Sequence, residues 1–354
     1  MLRANSIVVD AIPDFLSSDA AQRIKDLRKS KIDVQQLQTD LRSGDRAALS
    51  RCITLIESSL PEHKLEAAQL LNTLEPKQNT LRLGITGVPG VGKSTFIEAF
   101  GLYAISKGYK VAVLAVDPSS QLTRGSILGD KTRMEELVKS ESAFIRPSAS
   151  GTTLGGVAAS TREIIALCEA AGYNFIIIET VGVGQSETTV ADLTDFFLLL
   201  HLAGAGDELQ GIKRGIMEMA DLIVINKADG ANVKPAKRAQ AQLKSALSLF
   251  PPKTNFYESK VLTASALEHS GISDVFDEIT TYFEQAKENG HFEGHRKKQV
   301  LKAFQSMIEQ ALLFDFTNNP NVKAKWETVV VDLETGKITP RTAVQQLLEL
   351  YRNA

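Results

Sequence analysis

Residues 87–95 read Gly87-Val88-Pro89-Gly90-Val91-Gly92-Lys93-Ser94-Thr95, directly after the apolar run Leu81–Thr86. Three glycines let the backbone turn tightly, so that several amide groups converge on one anion. Lys93 adds a positive charge suited to β- and γ-phosphates, and Ser94 adds a hydroxyl suited to Mg²⁺. The helix-compatible stretch that follows would aim its positive dipole end at the same anion. The complete G-x-x-x-x-G-K-S spacing behind a strand implies binding of a nucleoside triphosphate, with Lys93 as the charge that acts in catalysis.

A second group selects the base. Asn226-Lys227-Ala228-Asp229 closes the apolar run Leu222–Ile225. The Asp229 carboxylate can accept from a ring N–H and an exocyclic amine, a pair that guanine offers and adenine does not. The Lys227 stem can lie along the base, and Asn226 can tie the loop together. Ser265-Ala266-Leu267 follows the last apolar run, Lys260–Thr263, where a backbone contact to the guanine oxygen would sit.

Carboxylates stand at two other strand ends. Asp117 closes Val111–Val116 and can hold Mg²⁺ directly or through water; its plain alternative is a turn initiator. Asp130 is the second metal candidate, its alternative being a helix N-cap. Glu179 closes Phe175–Ile178 and is followed by Thr-Val-Gly182. Its longer side chain can reach a metal-bound water or the attacking water, which makes it a metal and catalytic candidate. Gly182 and Gly184 give that segment the freedom of a switch that orders on the γ-phosphate. Gln185 is nearby, but no water-positioning glutamine is assigned. The glycine-rich stretch Gly204–Arg214 contains Asp207 and Lys213; by itself it reads as an ordinary strand-to-helix connection capped by Asp207.

The elements that must position these groups alternate. Seven apolar runs, Leu81–Thr86, Lys110–Val116, Ala143–Arg146, Phe175–Ile178, Phe196–Leu200, Leu222–Ile225 and Lys260–Thr263, are separated by helical stretches. Near-continuous apolar strands suit a sheet buried on both faces. Alternation with helices implies right-handed βαβ units and a doubly wound, mostly parallel α/β sheet, with ligands beyond the carboxyl ends of the strands. Residues 1–78 read as a helical extension, with apolar periodicity in Ala20–Leu41 and Arg51–Leu74. Residues 79–290 form the nucleotide-binding domain. Residues 291–354 turn helical again through Glu293–Leu313 and Pro340–Tyr351, with a short β-like run, Thr328–Leu333, between them.

The bulk numbers exclude several classes. The 354 residues carry 43% hydrophobic and 23% charged residues and a net charge of −2, so no electrostatic footprint for nucleic acid or anionic membrane is present. No apolar run is long enough to span a bilayer. Two cysteines, Cys52 and Cys168, suit a reducing compartment, and no signal-peptide pattern is present, so a cytoplasmic location is expected. Of the five histidines (His63, His201, His269, His291, His295), the His291-x3-His295 pair has helical metal spacing but lacks a third ligand in register.

Together the motifs resemble the methylmalonyl-CoA mutase-associated GTPases, the MeaB/MMAA family, also labelled ArgK-type transport ATPases. The likeness rests on 87–95, Val116-Asp-Pro-Ser-Ser120, Gly125–Met134, Leu154-Gly-Gly156, Glu179–Glu187, Gly204–Lys213 and Asn226–Asp229. It spans about residues 80–270. In one place the string departs: Ala149 and Thr152 stand at the usual Pro and Gly positions of the Arg146–Gly156 loop.

The resemblance implies a P-loop NTPase fold of the SIMIBI class and a metallochaperone GTPase that uses Mg²⁺. It implies a partner, an adenosylcobalamin-dependent acyl-CoA mutase, whose cofactor loading the GTPase gates and which it protects. It makes Lys93, Ser94, Asp117, Asp130 and Glu179 the phosphate and metal residues and Asp229 the guanine reader. It turns Gly204–Arg214 into a third switch acting through Asp207 and Lys213. It assigns the C-terminal helices to homodimerisation and the N-terminal helices to packing and partner contact. Cobalamin itself is not expected to bind this chain: His201 and His291 have glycine three residues on, but Leu199 and Asn289 stand where an Asp-x-His-x-x-Gly signature needs Asp. The rival readings are a nickel- or other metal-inserting GTPase of the same fold, a non-catalytic nucleotide switch of a transport system, and an ATPase.

Overall fold

The structure, a computed structural model, describes residues 33–58, 60–75, 79–116, 134–146, 154–180, 186–204 and 214–352. The seven apolar runs form β1 (Leu81–Gly87), β2 (Val111–Val116), β3 (Ala143–Arg146), β4 (Phe175–Thr180), β5 (Phe196–Leu202), β6 (Leu222–Asn226) and β7 (Lys260–Thr263). They make one parallel sheet in the order β3-β2-β4-β1-β5-β6-β7. The chain winds to one side of β1 through β2–β4 and to the other through β5–β7. The loop after β1 therefore opens at the reversal of strand order, where doubly wound sheets bind ligands.

Side-chain alternation sorts each strand between two cores. Val111, Val113, Phe175, Ile177, Leu83 and Ile85 face one layer, which is closed by α4 (Lys93–Ser106), α5 (Glu135–Lys139) and α10 (Ile272–Glu288). Ala112, Leu114, Ile176 and Ile178 face the other layer. There the sheet is covered by α6 (Leu154–Ala170), α7 (Ser186–Ala191), α8 (Arg214–Met219) and α9 (Val233–Leu247). The N-terminal helices α1 (Val34–Arg42), α2 (Arg46–Glu57) and α3 (Pro61–Asn72) lie outside α6 and extend the same core through Leu41, Leu49, Cys52 and Ile53. Pro61, which punctuates the sequence, opens α3 at its first turn, where a missing N–H costs nothing.

The C-terminal chain forms α11 (His291–Asn318), α12 (Pro320–Glu334) and α13 (Pro340–Arg352). The β-like run Thr328–Leu333 is corrected here: it is helical, inside α12. Asn319 accepts from the amides of Asn321 and Val322, Pro320 fits the first turn, and Val322 and Val329 share the buried face with Ala343 and Leu347. Capping and a seven-residue apolar spacing outweigh the strand preference of four consecutive β-branched residues, Thr328-Val-Val-Val331.

Helix α11 is rooted at the opening ends of the strands by a buried charge network. Arg296 grips both carboxylate oxygens of Asp195, donates to Thr80 O at 2.6 Å, and lies over the Phe292 ring. Asp195 also accepts from the Arg82 backbone amide at 3.1 Å, while the Arg82 guanidinium pairs with Glu169 of α6 at 2.7 Å. Burial pushes the Glu169 carboxyl above the usual range, against the opposing charge of Arg82. Beyond that root, Val300, Leu301, Phe304, Leu312, Leu313 and Phe314 are each more than half exposed.

Candidate nucleotide-binding site

The phosphate loop takes the shape its glycines allow. Gly90 and Gly92 have φ of 80° and 91°, in the left-handed region that favours glycine. Gly92 caps α4, and its carbonyl accepts the Phe96 amide at 2.9 Å. At Gly87 a Cβ would stand 2.6 Å from Leu200 O of β5, so a side chain has no room. Val91 is fully buried and pins the loop to the core.

Lys93 is 9% exposed and folds back over the loop, donating to Gly87 O at 2.8 Å. Burial lowers its pKa, and the Glu179 carboxylate opposes that shift. The two catalytic candidates are thus electrostatically coupled. Glu179 is 7% exposed at the end of β4, in register with Ile85 of β1 and Ala115 of β2. Ser94 is half-buried in the first turn of α4, and Thr95 is exposed. Asp117 directly follows Val116, the last residue of β2, but Asp117, Asp130, Gly182, Gly184, Gln185, Asp207 and Lys213 lie outside the described residues, as do Ala149 and Thr152.

The loop after β6, with the base-reading candidates, is built onto the phosphate loop. Asn226, 2% exposed, donates from Nδ2 to Val91 O at 2.9 Å and accepts the Ala266 amide on Oδ1 at 3.3 Å. One amide therefore fastens three segments that are far apart in sequence. Lys227, at φ 58°, donates to Gly90 O at 2.9 Å, so its stem crosses the mouth of the site. Asp229 Oδ2 accepts the Ser265 hydroxyl at 2.5 Å, while that hydroxyl accepts the Glu268 amide at 3.1 Å. Ala228 N donates to Ala264 O at 3.0 Å, which joins the loop after β6 to the loop after β7. Gly271 closes the latter: its φ is 72°, and a Cβ would meet Thr263 O at 2.4 Å. Ala266 is buried, and Leu267 is 77% exposed.

The arrangement presents backbone amides and Lys93 to a polyphosphate and holds the Asp229 carboxylate at a fixed distance from them. It unites Gly87–Thr95, Asn226, Lys227, Asp229, Ser265 and Ala266, and sets the Glu179 charge within electrostatic reach of Lys93. Ser94 and Glu179, with Asp117 and Asp130, are oxygen donors, the chemistry of a hard cation such as Mg²⁺. Among the described residues no group of three or more Asp, Glu, His or Cys could hold a metal alone. A cation shared with phosphate oxygens fits that donor set better than an all-protein cage. The His291 and His295 rings stack at 5.8 Å, and His295 Nε2 lies 3.2 Å from Thr194 O and 3.0 Å from Gln299 Nε2.

Sequence spacing did not show the Lys227–Gly90 contact, the Thr86–Thr180 hydroxyl pair at 2.8 Å, or the Arg296–Asp195 root of α11. The paired residues lie 137, 94 and 101 positions apart, and no local periodicity encodes such pairs. Among the described residues no helix is long and apolar enough to cross a membrane.

The family model of the "Methylmalonyl Co-A mutase-associated GTPase MeaB" matches residues 49–321. A "Putative GTPase" of Caulobacter vibrioides is 48% identical over 325 residues, covering 90% of this chain and 98% of that protein. The "GTPase ArgK" of Escherichia coli is 46% identical over 313 residues, covering 88% and 95%. The mouse "Methylmalonic aciduria type A homolog, mitochondrial" is 42% identical over 332 residues, covering 90% and 80%. A crystal structure of a "LAO/AO transport system kinase" superposes with a TM-score of 0.72 at 39% identity, covering 91% of this chain and all of that one. With the phosphate loop, the Asn226–Asp229 loop and the parallel sheet assembled as described, these likenesses establish that the chain belongs to the family of methylmalonyl-CoA mutase-associated GTPases.

Proposed function

We propose that this GTPase is a metallochaperone for an adenosylcobalamin-dependent acyl-CoA mutase: it gates cofactor loading and protects the mutase from inactivation. The observation that carries the reading is the direct fastening of the guanine loop to the phosphate loop through Asn226 and Lys227, in a chain of the mutase-associated family. Base recognition and triphosphate recognition then report to one another, as a checkpoint requires.

Hydrolysis here is positioning plus charge neutralisation. The Lys93 ammonium, now donating to Gly87 O, would move to the β- and γ-phosphate oxygens, whose charge favours its protonated form. Glu179 would orient the attacking water. Ser94, Asp117, Asp130 and Glu179 would hold Mg²⁺, which when bound neutralises phosphate charge. Asp207 and Lys213 would carry the nucleotide state to the partner. Residues 291–354 would pair two copies, the exposed apolar face of α11 giving them a surface to bury. Residues 1–78 would serve packing and partner contact, residues 79–290 would form the GTPase domain, and the protein would work in the cytoplasm without binding cobalamin itself.

The test is GTP turnover with and without methylmalonyl-CoA mutase, alongside pull-down. Binding together with nucleotide-dependent cofactor loading supports the reading. If no B12-dependent mutase binds or changes turnover, the chaperone role is lost and the GTPase assignment stands.

A further inference from the structure

The backbone pairing of β1 with β4 ends at Ile85 and Glu179. The next rung is made by side chains. Thr86 Oγ1 and Thr180 Oγ1 lie 2.8 Å apart, and both residues are fully buried. Thr86 immediately precedes Gly87, the first residue of the phosphate loop. Thr180 immediately follows Glu179.

The sheet does not need these hydroxyls. Valine has the same shape, favours buried strands and brings no polar group that must find a partner. A hydroxyl pair in this place does something valine cannot: it fixes one rotamer on each strand and holds the two strand ends at a set height relative to one another. What hangs from those ends is Lys93, through the phosphate loop, and Glu179, its electrostatic partner.

We propose that the Thr86–Thr180 bridge is a positioning element of the hydrolytic site, setting where Glu179 stands relative to Lys93 and the bound phosphates. This rests on the chain's assignment as a GTPase. Neither threonine is a catalytic residue; both act through Glu179.

The experiment is a double-mutant cycle of Thr86→Val, Thr180→Val and the pair, with Thr180→Ser as the conservative variant. Melting temperature, KM for GTP and kcat are measured for each. Each single valine breaks the bridge and lowers the melting temperature; in the double variant the two residues pack as an apolar pair of the same shape, and part of that loss is regained. The expected result is that kcat does not follow. In the double variant it stays down by about tenfold to a hundredfold, the scale of a misplaced reacting group. KM stays within about threefold of wild type, since the loop amides and Asp229 are unchanged. Thr180→Ser keeps kcat, with only the small stability loss of one buried methyl group. Recovery of kcat together with melting temperature in the double variant overturns the proposal and makes the pair a packing detail. Wild-type protein that binds GTP yet never turns it over removes the hydrolytic premise, and the proposal with it.

Discussion

Gly90 and Gly92 form a matched pair for testing how the guanine loop is held. Both have left-handed φ, 80° and 91°, so alanine at either site costs roughly 1–2 kcal/mol of backbone strain. They differ in what a Cβ would meet. At Gly90 nothing lies within 4 Å; at Gly92 the Asn226 Nδ2 atom is 2.9 Å away. Gly92→Ala must therefore displace the amide that donates to Val91 O. Leaving that buried carbonyl without its donor adds about 1–3 kcal/mol. In a domain of this size each kcal/mol corresponds to roughly 2–4 °C. The assay is thermal melting of the nucleotide-free protein, where phosphate contacts play no part. Gly92→Ala should melt several degrees below Gly90→Ala, and Asn226→Ala should remove most of that difference when combined with each. Equal melting of the two single variants would refute the claim that Asn226 clamps the phosphate loop.

Replacing Asp229 with Asn should weaken GTP binding about tenfold to a hundredfold, the equivalent of one charged hydrogen bond, while leaving binding of the triphosphate tail to the loop intact; competition between GTP and ATP on a fluorescent nucleotide reads this, and unchanged GTP preference would unseat Asp229 as the guanine reader. Burial pushes the Cys52 thiol up to about 11 and the Cys168 thiol higher still, so both should resist a thiol reagent at neutral pH and react only on unfolding; rapid labelling of native protein would contradict the packing of α2 on α6. Burial, His295 and Lys298 hold His291 below the ordinary imidazole range. The unfolded chain then takes up that proton first, so stability is lost as pH falls through the unfolded value of about 6.5. His291→Gln should flatten the loss between about pH 7 and pH 5 in denaturant titrations, and an identical pH profile would contradict the assignment.

The sheet was readable because its inner strands are buried on both faces and so appear as near-continuous apolar runs; β7, at the edge, is only partly buried. Gly87–Thr95 and Asn226–Asp229 were readable because phosphate and guanine each demand particular atoms at short, fixed spacing. Thr328–Leu333 was misread because β-branched residues suggest extension locally, whereas Asn319, Pro320 and the packing of Val322 and Val329 decide for a helix. The clamp at Asn226 was legible only as a residue that could tie a loop. Its partners, Val91 and Ala266, lie 135 and 40 residues away, and their proximity is a product of the winding of the sheet.

The charge network at the root of α11 gives β1 a second tenant. From Thr80, whose carbonyl Arg296 grips, the strand runs roughly 23 Å to Gly87, where the phosphate loop begins. The strand is a shared beam: a lever arm of 28 residues is bolted to one end, and the phosphate loop begins at the other. A partner that twists the arm loads the same rod that carries the phosphate loop.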